Sequence, residues 1–134
     1  FGNFLFAMNA SKYLGYDYEL TYGTGELGEA AGTLGFPEWR SNGYVSWTMD
    51  SWNAAVSVDY IGKSEAKVGD EEYDGWHTIN ASVGYDIGSY GSIELGASNI
   101  TDEDPLLDAG GYMIDEYQYP ITGRVVYAEY TLEF

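Results

Sequence analysis

Residues Trp52-Asn-Ala-Ala-Val-Ser-Val-Asp-Tyr-Ile-Gly62 decide the fold. Trp52, Ala54, Val56, Val58 and Tyr60 alternate with Asn53, Ala55, Ser57, Asp59 and Ile61. A period of two sends successive side chains to opposite sides of an extended chain, so this segment reads as a strand with one apolar and one polar face. Working outward, residues 39–50 repeat the pattern, with Trp39, Val45, Trp47 and Met49 opposed by Arg40, Asn42, Ser46, Thr48 and Asp50. Residues 76–87 do so again, with Ile79, Ala81, Val83, Tyr85 and Ile87 opposed by Thr78, Asn80, Ser82, Gly84 and Asp86. Further strands are predicted at about 91–100, about 123–134 and, least regularly, about 2–14, where Phe4, Phe6, Met8 and Ala10 share a face.

Alternation alone also suits a soluble sandwich with a dry inner and a wet outer face. The connections separate the two architectures. They run long (about 17–38), short (Asp50-Ser51), long (about 63–75), short (Gly88-Ser-Tyr-Gly91) and long (about 101–122). That rhythm belongs to an up-and-down membrane barrel with tight turns on one side and long loops on the other. Asp59, Asp86, Glu94 and Glu129 all fall on the polar face, which is then the lumen, and the apolar face of the five regular strands carries no carboxylate. Its aromatics gather at strand ends, Trp47, Trp52, Tyr85, Tyr130 and Phe134 towards the short turns and Trp39 and Tyr60 towards the loops. Aromatic girdles of this kind mark membrane interfaces.

Composition closes off other classes. The 134 residues include no Cys and a single His, His77, so disulfides, thiolate chemistry and zinc-cysteine sites are excluded. A net charge of -17 repels phosphate backbones, which argues against nucleic-acid binding. Fourteen Tyr, four Trp and 18 Gly against three Pro describe a β protein and not an acidic disordered tail. Phe1-Gly-Asn-Phe-Leu-Phe lacks a basic region and a cleavage site and already alternates, so the chain reads as a piece of a longer one.

Three stretches then acquire a joint meaning. Ile93-Glu-Leu-Gly-Ala-Ser-Asn-Ile-Thr-Asp-Glu-Asp-Pro105, Tyr119-Pro-Ile-Thr-Gly-Arg124 and a last strand ending at Phe134 resemble the carboxy-terminal end of a TonB-dependent outer-membrane receptor. Phe36-Pro-Glu-Trp-Arg40 and Trp52–Gly62 resemble that family's preceding strands, and the resemblance runs along essentially the whole chain. Thr101 departs from it, because the family usually has an aromatic there. The resemblance implies an all-β, six-stranded antiparallel up-and-down meander that is the last segment of a 22-stranded transmembrane β-barrel. The family's plug and its TonB-contacting box have no counterpart in these residues.

The function so implied is non-enzymatic and needs no cofactor: a receptor in the bacterial outer membrane for TonB-linked import, its ligand bound at the extracellular mouth. Its partners would be the remaining strands and plug of the same receptor, the TonB complex, lipopolysaccharide and the outer-membrane assembly machinery. Phe134, with Leu132 and Tyr130 on the same face, resembles the terminal signal presented to that machinery; a place in the periplasmic aromatic girdle is the simpler role. Two alternatives remain, a soluble carbohydrate-binding β-sandwich module and a small outer-membrane barrel of adhesin type, which needs at least two more strands.

Most of the 22 acids lie in the three long loops. They present either a surface for divalent cations or an ordinary solvated one, and neither Asp70-Glu-Glu-Tyr-Asp74 nor Asp102-Glu-Asp104 has calcium-loop spacing. Trp76, Tyr73, Tyr112 and Tyr117 are candidate ligand contacts, since rings at a mouth can stack on a sugar or another flat face; loop packing is the plainer use. An acidic mouth disfavours anionic ligands and favours a neutral carbohydrate or peptide. Arg124, the only cation of the last strand, is placed to anchor a loop carboxylate such as Asp102 or Asp115. His77 reads as an interfacial imidazole. Glu129 and Glu133 lie roughly 13 Å apart along an extended strand, too far for a glycosidase pair. The sequons at Asn9, Asn80 and Asn99 read as chance, and the glycines at 23–35 as a mobile loop.

Overall fold

The structure, a computed structural model, describes residues 1–66, 71–107 and 118–132. In chain order its strands are β1 (Asn3–Lys12), β2 (Asp17–Glu19), β3 (Leu27–Glu29), β4 (Trp39–Met49) and β5 (Trp52–Ile61). They continue with β6 (Ser64–Glu65), β7 (Glu72–Tyr73), β8 (Trp76–Asp86), β9 (Ser92–Ser98) and β10 (Val125–Thr131). Six of them form one antiparallel sheet in the order β1-β4-β5-β8-β9-β10, each beside the next long strand in sequence. This is the predicted all-β meander. Among the described residues no helix is long and apolar enough to cross a membrane.

Register assigns the two faces. Val56 stands opposite Val45 on one side and Ala81 on the other, and the row extends through Ala97 to Val126. The next row towards the short turns holds Phe4, Trp47, Ala54, Val83, Leu95 and Ala128, and the one beyond it Met49, Trp52, Tyr85, Ile93 and Tyr130. Opposite-facing rows carry Asn9, Asn42, Asp59 and Thr78, and then Asn53, Gly84, Glu94 and Glu129. These are the faces that alternation predicts, β1 included.

Nothing among the described residues covers the apolar side. Phe6 is 72% exposed, Met8 76% and Val126 75%, and the buried hydrophobic cluster of Ile61, Trp76 and Tyr119 lies elsewhere. A sandwich would have buried that face between two sheets.

The turns explain the strand ends. Asp50 takes φ +53 in the two-residue turn between β4 and β5, a left-handed conformation that Asp tolerates better than most residues. Gly88–Tyr90 makes one 3-10 turn before Gly91, where φ is +95 and a Cβ would fall 2.1 Å from the Thr131 carbonyl oxygen. Only glycine meets both conditions.

At the loop end three predicted boundaries shorten. Asn99 turns to φ +49 and ends β9 at Ser98, short of the expected residue 100. β10 starts at Val125 because the Arg124 main-chain N–H is bonded to the Asp102 carboxylate, leaving residues 123 and 124 off the ladder. β1 stops at Lys12, although the Tyr13 N–H still reaches the Glu38 carbonyl at 2.9 Å. The long loops hold two small hairpins that alternation did not predict, β2–β3 and β6–β7. A parallel bridge, Thr33 to Glu65, joins the first loop to the second outside the main sheet.

Candidate functional site

The long-loop end of the polar face is the part of the molecule built by side chains and not by the ladder. There β5 ends in Ile61 and β8 begins with Trp76, paired across the strands on the polar side. The third loop folds over them: Tyr119 meets the Trp76 ring edge-on at 5.4 Å, Leu106 packs alongside, and the Trp76 indole N–H donates to the Asp104 carbonyl at 2.9 Å. Trp76 is 2% exposed and Tyr119 3%. Trp76 is therefore packed beneath the loop, with little of its ring exposed.

Asn99 closes the root of the same loop. Its amide oxygen accepts the Glu103 N–H at 2.9 Å and its amide nitrogen donates to the Glu103 carbonyl at 2.8 Å, while its own main-chain N–H donates to Asn80 Oδ1 at 3.0 Å. Asn80 in turn donates to Ser57 Oγ at 3.1 Å. With its side chain so engaged and 5% exposed, Asn99 is no glycan acceptor. Of the two carboxylates considered for Arg124, Asp102 is the one it meets. The guanidinium lies 3.1 Å from Asp102 Oδ2 and the Arg124 main-chain N–H donates to Oδ1 at 2.7 Å. That N–H, and then the guanidinium charge, hold the Asp102 carboxyl below the usual range. Asp115 lies outside the described residues.

Below this loop a recess of about 410 Å³ opens on the polar face between β1, β4, β5 and β8, with Gln118 and Pro120 at its upper rim. Arg40 is central to it, donating to Gln118 Oε1 at 2.5 Å. A second recess of about 350 Å³ shares Arg40, Ser11 and Gln118 and extends to Tyr13 and Pro37. Asn9 Nδ2 donates to Asn42 Oδ1 at 3.1 Å along the wall. Periodicity alone did not single out Arg40. The available signal was an Arg on the polar side of a strand in a chain with five basic residues.

Acids of the first loop are occupied internally. Glu29 Oε1 accepts the Tyr16 N–H at 2.7 Å and the Ala31 N–H at 2.8 Å, and Glu19 Oε1 accepts the Gly25 N–H at 2.7 Å. Both carboxyls are lowered from their ordinary values, Glu29 first by Ala31 and Glu19 first by Gly25. Lys12 bonds Glu38 at 3.5 Å and sits 5.2 Å above the Trp39 ring, and Lys63 lies 3.3 Å from Asp74. Among the described residues no three carboxylate or imidazole groups converge as a metal site would require.

Tyr73 donates to Glu71 at 2.8 Å and borders a concavity of about 360 Å³ between the first and second loops. Tyr112, Tyr117 and Phe134 lie outside the described residues, as does Glu133. Tyr130 bonds the Tyr90 carbonyl at the short-turn end, and Leu132 is exposed. His77 pairs in register with Tyr60 on the apolar face, whereas Ser82 is on the polar face and Asp74 is engaged by Lys63. No catalytic pair forms among them. Glu94 and Glu129 stand directly opposite each other, with Tyr127 donating to Glu94 at 3.0 Å. The chain matches no protein-family model, no curated protein and no solved structure.

Proposed function

We propose that the chain is part of the wall of an outer-membrane β-barrel, the last six strands of a 22-stranded TonB-dependent import receptor. The observation that carries the membrane reading is the bare apolar face, bounded by aromatics at both ends. Ten residues separate the Met49 row from Trp39. At about 3.4 Å per residue and a tilt of about 40–45°, that distance spans roughly 25 Å of height, the thickness of the apolar band of such barrels. Lys12 shares this face only at its loop-end limit, where a long side chain reaches the interface.

Outer edges of β1 and β10 carry unpaired main-chain groups, each costing several kcal/mol in hydrocarbon, so the reading requires further strands on both sides. The receptor assignment rests on the family resemblance and on the long-loop recess, whose polar groups suit a neutral ligand. The reading includes no enzymatic step. A soluble carbohydrate-binding module has the exposed face against it.

Outer-membrane fractions of cells making the whole protein test this. The folded form should require detergent for extraction and migrate faster on unheated than on heated gels; a water-soluble monomer without that shift overturns the barrel. Deleting Phe134 should reduce the heat-modifiable form while leaving synthesis unchanged. Normal assembly of that deletion would remove the sorting role and leave the barrel standing.

A further inference from the structure

We propose that the recess around Arg40 binds a short zwitterionic peptide, Arg40 taking its carboxylate and Asp59 its ammonium group. This rests on the reading that the polar face lines an aqueous lumen, and it narrows the ligand from carbohydrate or peptide to peptide.

The two charged groups are neighbours that do not neutralise each other. Arg40 pairs with Ile61 and Asn42 with Asp59 across β4 and β5, so Arg40 and Asp59 occupy diagonal positions on one face. Diagonal residues of an antiparallel pair lie about 7–8 Å apart. Lys12, Lys63 and Arg124 each have a carboxylate within 4.0 Å; Arg40 has only the neutral amide of Gln118 among the described residues. A guanidinium with five donors keeps several free for a ligand. In a chain of net charge -17, an Arg beside a carboxylate, neither in an ion pair among the described residues, marks a bipolar site.

Several of the other lining groups are hydrogen-bonding, and the rings among them are Tyr60 and Trp76. Asn9 and Asn42 spend one donor and one acceptor on each other and keep the rest. Thr78 is 6% exposed on the recess wall, and its hydroxyl makes no hydrogen bond to the described residues. Of the nearby rings, Trp76 and Tyr119 are packed against each other and Tyr60 belongs by register to the apolar face. A sugar site would present an open ring for stacking. A tripeptide, whose first and last Cα atoms stand about 7 Å apart when extended, spans the Arg40–Asp59 diagonal. Being net neutral, it also enters an acidic mouth without repulsion.

Isothermal titration of the whole receptor in detergent with trialanine tests the site, alongside N-acetyl-trialanine, trialanine amide and maltotriose. Trialanine should bind, and each capped form should bind at least tenfold more weakly. Arg40→Gln should weaken trialanine at least tenfold and abolish the effect of C-terminal amidation while retaining that of N-terminal acetylation; Asp59→Asn should do the reverse. Absence of trialanine binding, equal or tighter binding of maltotriose, or variants that do not respond selectively to the two caps would each overturn the proposal. Heat-modifiable migration of the same preparation separates this from the barrel reading: retained migration without peptide binding sinks the site alone.

Discussion

The two ends of the sheet hold themselves together differently. At the short-turn end, neighbouring strands are linked by two residues or by one 3-10 turn, and aromatic rows such as Trp52 against Tyr85, 4.7 Å apart, close the face. At the long-loop end, contacts join residues far apart in sequence: Trp76 to Asp104, Arg40 to Gln118, Asp102 to Arg124. Local pairing maintains the first end through the chain's own connectivity. The second relies more heavily on side-chain bonds, so its stability is separable from that of the main sheet, and substitutions should distinguish the two.

The largest contrast is expected between two tryptophans. Trp76→Ala removes a buried ring and its hydrogen bond, a loss of about 3–5 kcal/mol for such truncations, and should expose the third loop to protease. Trp52→Ala, in a half-exposed row, forfeits an aromatic pair of about 0.5–1.5 kcal/mol. Urea midpoints of the refolded protein, combined with protease mapping, check this. Equal losses would mean that the loop end is no more dependent on side-chain packing than the wall.

A smaller effect separates the faces within the wall. Val56→Lys places a charge on the central apolar row and, on the proposed membrane reading, should cost about 2–4 kcal/mol. Ser57→Lys, one residue along and on the polar face, should stay within about 0.5 kcal/mol, the range of an ordinary surface change. If both were equally harmful, Val56 would not face lipid.

The sheet was legible in the sequence because a strand with one apolar and one polar face meets a two-way choice at every residue. Val56 and Ser57 cannot exchange faces without slipping the whole register. The loop end was less legible. Nothing in the glycine-rich first loop alternates, so the β2–β3 hairpin had no periodic sign, and Trp76 read as a loop-root residue. One clue was present: Ile61 and Trp76 are large apolar residues paired on the face that carries Asn42, Asp59 and Thr78, which is the mark of a site covered by something else. Arg124 was legible as an anchor because it is the last strand's only cation, but its main-chain contribution to Asp102 is a matter of backbone direction, which composition does not carry.

Next in size is Asn99→Ala. It leaves the Glu103 N–H and carbonyl without their partner at a buried position, a loss of about 1–3 kcal/mol, and adds strain because Asn tolerates the left-handed backbone that Ala resists. Asn99→Gly separates the terms: it relieves the strain but not the lost bonds. Limited proteolysis at residues 101–107 should rank the loop as most protected in the native chain, then Gly, then Ala. Equal protection of Gly and native chains would assign the role of Asn99 to backbone conformation alone.

The smallest effect is a titration. Asp102 is lowered first by the Arg124 main-chain N–H and only then by the guanidinium charge. A carboxyl lowered in the folded state contributes stability that is fully present above its unfolded value of about 3.9 and is lost as pH falls through its lower folded value. Acid should therefore loosen the junction between the third loop and β10 below about pH 4. Carboxyl-carbon NMR of the labelled protein should show the Asp102 midpoint below the ordinary value. Arg124→Gln removes the charge but keeps the N–H, so the midpoint should rise only part of the way. A complete return to the ordinary value in that variant would show that the side chain, and not the start of β10, is what holds Asp102.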